Sequence, residues 1–324
     1  MTTLAIHPGA LGDLILFSRL LSRCPGPVTL VAPSEVGSLL VALGAVEAHL
    51  DFHSLPFHDL FRDGLPSDSP LGRQLPRVSR LISCFPGSDT PAACSRLVLL
   101  SGADNAAFLP VRPPSDFSGH LLDFWTDLLG LPSLLPSSVS SSPLAVSQSS
   151  SSLRVLRGES LPAFPVPSSF LSLARAALQS VGLNPSGPFL LIHPGAGSPT
   201  KCWPLDRFVS LARAVGPCLF ILGPVEQERW SSLSIDSISR EFPTLLSPPL
   251  SALAGLAALA RACLGNDSGF CHLAAAVGAP TLSLFGPTNL VHFAPLGARA
   301  HTLAAAAMDA IALDQVSRAL NNLT

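Results

Sequence analysis

Leu190-Leu-Ile-His-Pro-Gly-Ala-Gly-Ser-Pro-Thr-Lys201 begins as an apolar strand and breaks after His193 into a glycine-containing turn. Helical periodicity resumes from Leu205 to Val215, and a second apolar run spans Cys218 to Leu222. Strand, glycine turn, helix and strand in that order are the text of a βαβ unit with a parallel sheet. The same His-Pro-Gly-Ala recurs at His7 to Ala10, again directly after an apolar run, Leu4-Ala-Ile. Chance yields four-residue echoes in a biased chain, yet both copies close the first strand of a half.

Outward from these turns the alternation continues. In the first half, Pro8 to Asp13 forms the turn, Leu14 to Ser22 reads as a helix and Val28 to Ala32 as a strand. Ser34 is placed to cap a helix ending near Leu43 and Gly44. Val46 to Leu50, Arg80 to Phe85 and Leu97 to Leu100 are further short apolar runs. In the second half a helix is expected from about Ser168 to Val181, and the strand at Phe189 to His193. Further helices are expected near Val225 to Ile235, at Ser251 to Ala262, at Ser268 to Val277 and at about Met308 to Asn321, with a strand at Thr281 to Phe285. The fold class is therefore α/β, with two Rossmann-like, doubly wound halves facing a cleft in which a ligand of open α/β sheets binds. The division is expected as residues 1–165 and 166–324, with a Ser/Pro-rich connector at about 131–152.

A chain of 324 residues fits two domains. Hydrophobic residues make up 48% and charged residues 12%, so large cores are available beneath a sparsely charged surface. A net charge of −2 with no basic block disfavours nucleic acid as a partner. No apolar stretch reaches the roughly 18 residues that suggest a membrane span, and the longest, Leu250 to Leu264, contains Gly255 and Arg261 and reads as a buried helix. No basic region precedes the first apolar run, so a secretory signal is not expected. The seven cysteines are scattered, odd in number and never spaced C-x-x-C, which fits reduced thiols in a cytoplasmic protein. Apolar residues within Leu55 to Phe61 or Leu121 to Trp125 could touch lipid or pack in a core.

Lys201 is the only lysine, set against eighteen arginines, and it lies in the glycine turn. Gly195 and Gly197 let backbone amides approach an anion, Ser198 and Thr200 add hydroxyl donors, and Lys201 adds a full charge. The alternative is a turn whose glycines supply positive φ while Lys201 is merely solvated. In Asn266-Asp267-Ser268-Gly269, Asp267 or Ser268 can cap a helix, or the helix end can face a diphosphate with Asp267 toward sugar hydroxyls. His272 one turn later either faces the same cleft or is a buried, satisfied histidine. Phe285-Gly-Pro-Thr288 closes the next strand and can line a nucleotide. Gly12-Asp13 ends the first turn, where Asp13 is a helix cap or a general base ionised at neutral pH.

Several chemistries lack their residues. No Asp-x-Asp pair exists to hold a divalent metal on a diphosphate, and no G-x-x-x-x-G-K-[ST] loop marks an NTPase. The third glycine of the dinucleotide fingerprint is missing, and the Gly-x-Ser-x-Gly elbow is absent.

The ordered set Gly12-Asp13, His193-Pro-Gly-Ala-Gly-Ser-Pro199 with Lys201 and Trp203-Pro204, Leu222-Gly-Pro-Val-Glu226, Gly265-Asn-Asp-Ser-Gly269 with His272-Leu-Ala-Ala275, and Phe285-Gly-Pro-Thr288 resembles glycosyltransferase family 9, the bacterial ADP-heptose:lipopolysaccharide heptosyltransferases. The resemblance implies a GT-B fold with the acceptor mainly on the first domain and the nucleotide-sugar on the second. It implies Asp13 as general base and Lys201 as partner of the donor diphosphate. It further implies Glu226 as a nucleoside contact and Asp267 as a contact to sugar or diphosphate. Gly12, His193, Gly195, Ala196, Gly197, Ser198, Thr200, Ser268, Gly269, His272 and Thr288 complete the implied donor site, with no metal and no cofactor. The expected activity is inverting transfer of a heptose or related sugar from an ADP-sugar to a lipopolysaccharide inner-core or other glycolipid acceptor. The expected protein is a cytoplasmic monomer with peripheral contact at the inner membrane face. The alternatives are a non-catalytic nucleotide-sugar-binding protein and a sugar-nucleotide epimerase. The first loop departs from the family, with His7 and Ala10 where a basic residue and a serine are usual.

Overall fold

The computed structural model describes residues 1–62, 69–87, 89–132 and 161–323, together with the backbone of 154–157. They form two compact units, residues 1–134 and 135–324. The expected connector lies, from residue 133 to 152, outside the described residues.

The first unit runs β1 (Thr3–Ile6), α1 (Leu11–Leu21), β2 (Val28–Ala32), α2 (Ser34–Ala42), β3 (Ala48–Asp51), α3 (Pro70–Gln74), β4 (Arg80–Ser83), α4 (Pro91–Ser101), β5 (Asn105–Phe108) and α5 (Leu121–Leu128). Its five strands are ordered β3-β2-β1-β4-β5 and every pairing is parallel. The order reverses between β1 and β4, so their carboxyl ends diverge into a crevice. Leu4 and Ile6 of β1, Leu81 of β4 and Leu97 of α4 form the buried core with Leu60 and Leu71. The run Leu97 to Leu100 is helical: Pro91 starts α4 and Gly102, at φ +67°, stops it in the left-handed region. The weakly apolar Asn105–Phe108 takes the neighbouring strand position instead.

The second unit runs β6 (Arg154–Arg157), α6 (Ser168–Ser180), β7 (Leu190–His193), α7 (Leu205–Val215), β8 (Cys218–Leu222), α8 (Pro224–Arg229), α9 (Ser232–Glu241), β9 (Thr244–Leu246), α10 (Leu250–Leu259), β10 (Ala262–Asn266), α11 (Gly269–Ala276), β11 (Thr281–Phe285), α12 (Leu290–Phe293), β12 (Ala300–Ala304) and α13 (Leu313–Asn321). The sheet order is β6-β12-β11-β10-β7-β8-β9, parallel except for β6 against β12. Without β6 this is the six-stranded Rossmann order, with its reversal between β7 and β10. β6 therefore belongs to the second sheet, although residues up to 165 were expected with the first half.

Two expected helices are subdivided or shortened for local reasons. The helix near Val225 to Ile235 is two, because Ser231 caps α9 by accepting from the Ser234 N–H at 3.2 Å. The helix expected to reach Ala262 stops at Leu259, since the Arg261 N–H already donates to Phe189 O (3.0 Å) as β10 joins β7. Of the apolar segments weighed for lipid contact, Leu55, Phe57, Leu60, Leu121, Leu122 and Trp125 are buried, while Phe61 is 54% exposed. No helix of the described residues is long and apolar enough to cross a membrane. All seven cysteines are free thiols, and five of them are buried.

Gly255 explains how α10 lies so close to α6. A Cβ there would collide with the Phe170 carbonyl and stand 3.0 Å from the Ala174 methyl. Gly255→Val is expected to lower stability by about 1–3 kcal/mol through overpacking. Chemical denaturation with a Gly255→Ser control would measure the difference, which should grow with side-chain volume.

Candidate active site at the carboxyl ends of β7 and β10

The buried strand β7 delivers His193, and its Nδ1 accepts the Gly195 N–H at 3.0 Å. The first unit repeats the device, with His7 Nδ1 accepting the Gly9 N–H at 2.9 Å after β1. Each strand thus ends in a turn closed by its own imidazole. Accepting at Nδ1 requires a neutral ring, and burial supplies the condition. His7 is pushed from 6.5 to about 4 by desolvation, and His193 is lowered chiefly by burial, against the raising influence of Glu226.

The loop from Pro194 to Trp203 is held at both ends by one side chain. Asn266, the last residue of β10 and fully buried, donates from Nδ2 to Pro194 O (2.7 Å) and Gly195 O (3.3 Å). Its Oδ1 accepts the Trp203 N–H at 3.0 Å. The next residue, Asp267, pairs through Oδ2 with Lys201 Nζ at 2.8 Å. Trp203 is fixed from its other side, its indole N–H donating to Ile311 O at 2.8 Å. Lys201 is therefore not merely solvated: its charge partner is a carboxylate at the switch point of the sheet.

The two glycines have different reasons. Neither has positive φ, so the alternative reading of a turn that needs it does not hold. A Cβ on Gly195 would collide with the Glu226 carboxylate, so glycine permits close approach. Glu226 is 3% exposed and accepts the Gly223 N–H at 2.7 Å, which places it beneath the turn as its support. Gly197 has no protein atom within 4 Å of its Cβ position. Its carbonyl accepts from Arg229 (3.0 Å), and the N–H groups of Gly197 and Ser198 donate to nothing among the described residues. Unengaged amides beside an ammonium are groups that can hold an anion. Ser198 and Thr200 share a hydroxyl contact at 2.9 Å on the loop's exposed side, and Ala196 is buried.

Across the reversal of strand order, α11 starts with Ser268 as its N-cap residue, but no side chain caps it. Ser268 Oγ is enclosed without a hydrogen-bond partner, and so is His272 Nδ1. Neither capping reading of Asp267 and Ser268 holds, and the amides from Gly269 onward keep the positive end of an eight-residue helix. His272, 5% exposed, is lowered to about 4 by burial, with Asp267 raising it and Lys201 lowering it further. It is thus beside the ion pair but buried rather than satisfied. Thr288 follows β11 in the adjacent loop, partly buried, before Asn289 caps α12 by accepting the Val291 N–H at 3.0 Å.

Gly12 and Asp13 belong to the first unit, in the opening turn of α1. The N-cap is Ala10, without a side-chain bond, so Asp13 is not the cap. A Cβ on Gly9 would stand 3.2 Å from Asp13 Oδ2, and the Asp13 charge adds to burial in raising the Cys84 thiol at the end of β4. Asp13 is therefore at the switch point of the first sheet. Sequence reasoning assigned no role to Asn266 and Arg229, which hold the loop at its ends and at the Gly197 carbonyl. Asn266 stood inside a quoted motif, but a neutral amide offered no chemical signal.

Residues 153–321 match the family model described as glycosyltransferase family 9 (heptosyltransferase), which covers the second sheet and most of the second unit. The chain belongs to glycosyltransferase family 9. Lipopolysaccharide heptosyltransferase 1 of Pseudomonas aeruginosa is 35% identical over 131 residues, 39% of this chain and 36% of that protein. The chain thus aligns with about a third of that family member's length. The structure of E. coli ADP-heptose lps heptosyltransferase II superposes with a TM-score of 0.72 at 18% identity, covering 100% of this chain and 98% of that one. E. coli heptosyltransferase WaaC, solved with ADP, gives a TM-score of 0.64 at 15% identity with full coverage of both. At such identities the superpositions establish the GT-B fold of two Rossmann-like domains shared with these family 9 proteins.

Gly195→Ala is expected to disturb the turn and lower the melting temperature, whereas Gly197→Ala should leave stability within about 0.5 kcal/mol. Thermal denaturation of the pair measures the contrast. Buried neutral His7 and His272 have folded values below the unfolded 6.5, so their stabilising contribution is complete above pH 6.5 and is lost as pH falls toward 4. Since a tenfold change in proton affinity corresponds to about 1.4 kcal/mol, the unfolding free energy should drop by a few kcal/mol across that window. Denaturant titrations at stepped pH measure the drop, and His272→Gln should flatten the part that reports the second unit.

Proposed function

We propose that the chain is an inverting, metal-independent glycosyltransferase that moves a heptose or related sugar from an ADP-sugar to a lipopolysaccharide inner-core or other glycolipid acceptor. The observation that carries the reading is the combination at the β7/β10 switch point of unengaged Gly197 and Ser198 amides with Lys201 and the uncapped end of α11. Family membership and the ADP-heptose and lipopolysaccharide named for the related proteins support the donor and acceptor classes.

The acceptor hydroxyl gives its proton to the Asp13 carboxylate as its oxygen attacks the anomeric carbon from the face opposite the leaving group. The bond from that carbon to the diphosphate breaks with its electron pair, and ADP leaves. The charge gathering on the diphosphate is met by fixed dipoles and by the Lys201 ammonium, which cost no reorganisation during the reaction. Metal independence rests on that pairing and on the lack of any Asp-x-Asp pair in the chain. Asp267, a carboxylate beside a diphosphate, serves Lys201 and the sugar hydroxyls rather than the phosphates, because like charges repel. Glu226 as nucleoside contact would have to turn outward from its buried position, so its first role is under Gly195. We place the protein at the inner face of the cytoplasmic membrane, where a glycolipid acceptor would bring it, as a monomer.

Purified protein incubated with ADP-heptose and a heptose-deficient lipopolysaccharide core should give a mass-shifted core and ADP, undiminished by EDTA. ADP release without core modification, or epimerisation of UDP-sugars, would replace this reading. Lys201→Ala is expected to cut turnover by about 10²–10³. Asp13→Asn should keep ADP affinity while lowering turnover by about 10²–10⁴.

A further inference from the structure

We propose that Asn266 is a positioning residue that presents the Gly197 and Ser198 amides to the donor by clamping both ends of the loop that carries them. The inference rests on reading that loop as the diphosphate site. It concerns a residue that touches no substrate.

An amide side chain has two donor hydrogens and one acceptor oxygen, and Asn266 uses both ends of its group. Nδ2 holds Pro194 O at 2.7 Å and Gly195 O at 3.3 Å, while Oδ1 holds the Trp203 N–H at 3.0 Å. The loop is thereby pinned at its first and last residues to the end of β10. The middle contact comes from the next residue, through Asp267 and Lys201. Consecutive residues at one strand end therefore fix the loop at three points.

The orientation of the peptide planes follows. The Pro194 and Gly195 carbonyls face the interior amide, and the Gly195 N–H is taken by His193 Nδ1. The Gly197 carbonyl turns to Arg229. A trans peptide points N–H and C=O in opposite directions, so the Ser198 N–H faces away from Arg229. What remains unengaged among the described residues is the pair of N–H groups at Gly197 and Ser198, at the point where Gly197 is exposed and a Cβ on it would meet nothing within 4 Å beyond its chain neighbours. Asn266, at 0% exposure, cannot do this by touching a ligand.

An aspartate keeps the acceptor for Trp203 but sets an oxygen against the two carbonyls. Asn266→Asp should raise the Kd for ADP about tenfold or more through misplaced amides. It should raise the donor KM without changing the acceptor KM. Burial and the facing carbonyls raise the introduced carboxyl's pKa, and its protonated form donates as the amide did. The variant's deficit in ADP affinity should therefore narrow as pH falls from about 8 to about 6, read at a temperature at which melting shows both proteins folded. Calorimetric titration of ADP into wild type and variant, with melting followed in parallel, reads this directly. Equal ADP affinities overturn the clamp. A wild type that binds neither ADP nor UDP overturns the donor reading, and the ligand half of this inference with it. If Asn266→Asp does not fold, amide exchange in the wild type decides. A Trp203 N–H equally protected with and without ADP supports a preset loop, and one protected only after ADP is added overturns it.

Discussion

Three hydrogen bonds made by one buried amide organise the carboxyl end of the second unit's sheet at β7 and β10. Asn266 joins the close of β10 to the close of β7 and to the start of α7, which are remote in sequence. Unmade, each would leave a buried backbone group unsatisfied at a cost of about 1–3 kcal/mol. The neighbouring segments depend on the same anchor. Trp203 continues it to Ile311 near α13, and Arg207 adds bonds to Asp309 O (2.6 Å) and Ile311 O (2.8 Å). Both ends of the loop are thus tied to the core beneath it.

Charge at this end is arranged by subtraction. Burial keeps His193 and His272 neutral, so they act as an acceptor for the Gly195 N–H and as a polar wall. The full charges within the loop's reach, among the described residues, are few: Lys201, Asp267, Arg229 and the Glu226 carboxylate. Lys201 is paired with Asp267, so an anion drawn to this ammonium would meet one whose partner is already a carboxylate. The pair is one-third open at Lys201 (35% side-chain exposure), so its own contribution to stability is small and its value is placement.

The duplication first visible as His-Pro-Gly-Ala proves to be geometric. In both units an imidazole Nδ1 accepts the N–H two residues on, at the strand next to the reversal of sheet order. The copies then diverge. The second leads into a loop with Lys201 and unengaged amides; the first leads directly into α1 with Asp13 in its opening turn. One repeated strand end thus carries a cationic site in one unit and an acidic side chain in the other.

Periodicity and turn chemistry made the alternating α/β order legible, with α7, β2, β8 and β11 at the expected residues. The lone lysine, Asp13 and the Asn-Asp-Ser-Gly segment were legible as site candidates because charge and turn residues are written locally. Strands β5, β9 and β12 were not, since short, weakly apolar segments become strands only when a neighbouring strand supplies their hydrogen bonds. Nor was Leu97 to Leu100, apolar enough for either structure until Pro91 and Gly102 bounded it as a helix. The sequence by itself determined the principal strands and helices, the doubly wound class and the inventory of charge. Tertiary structure alone decided that Gly195 is required by Glu226 rather than by φ, that Lys201 rests on Asp267, and that Asn266 sets the loop. Those are contacts between residues tens of positions apart, and no local pattern encodes the distance at which they meet.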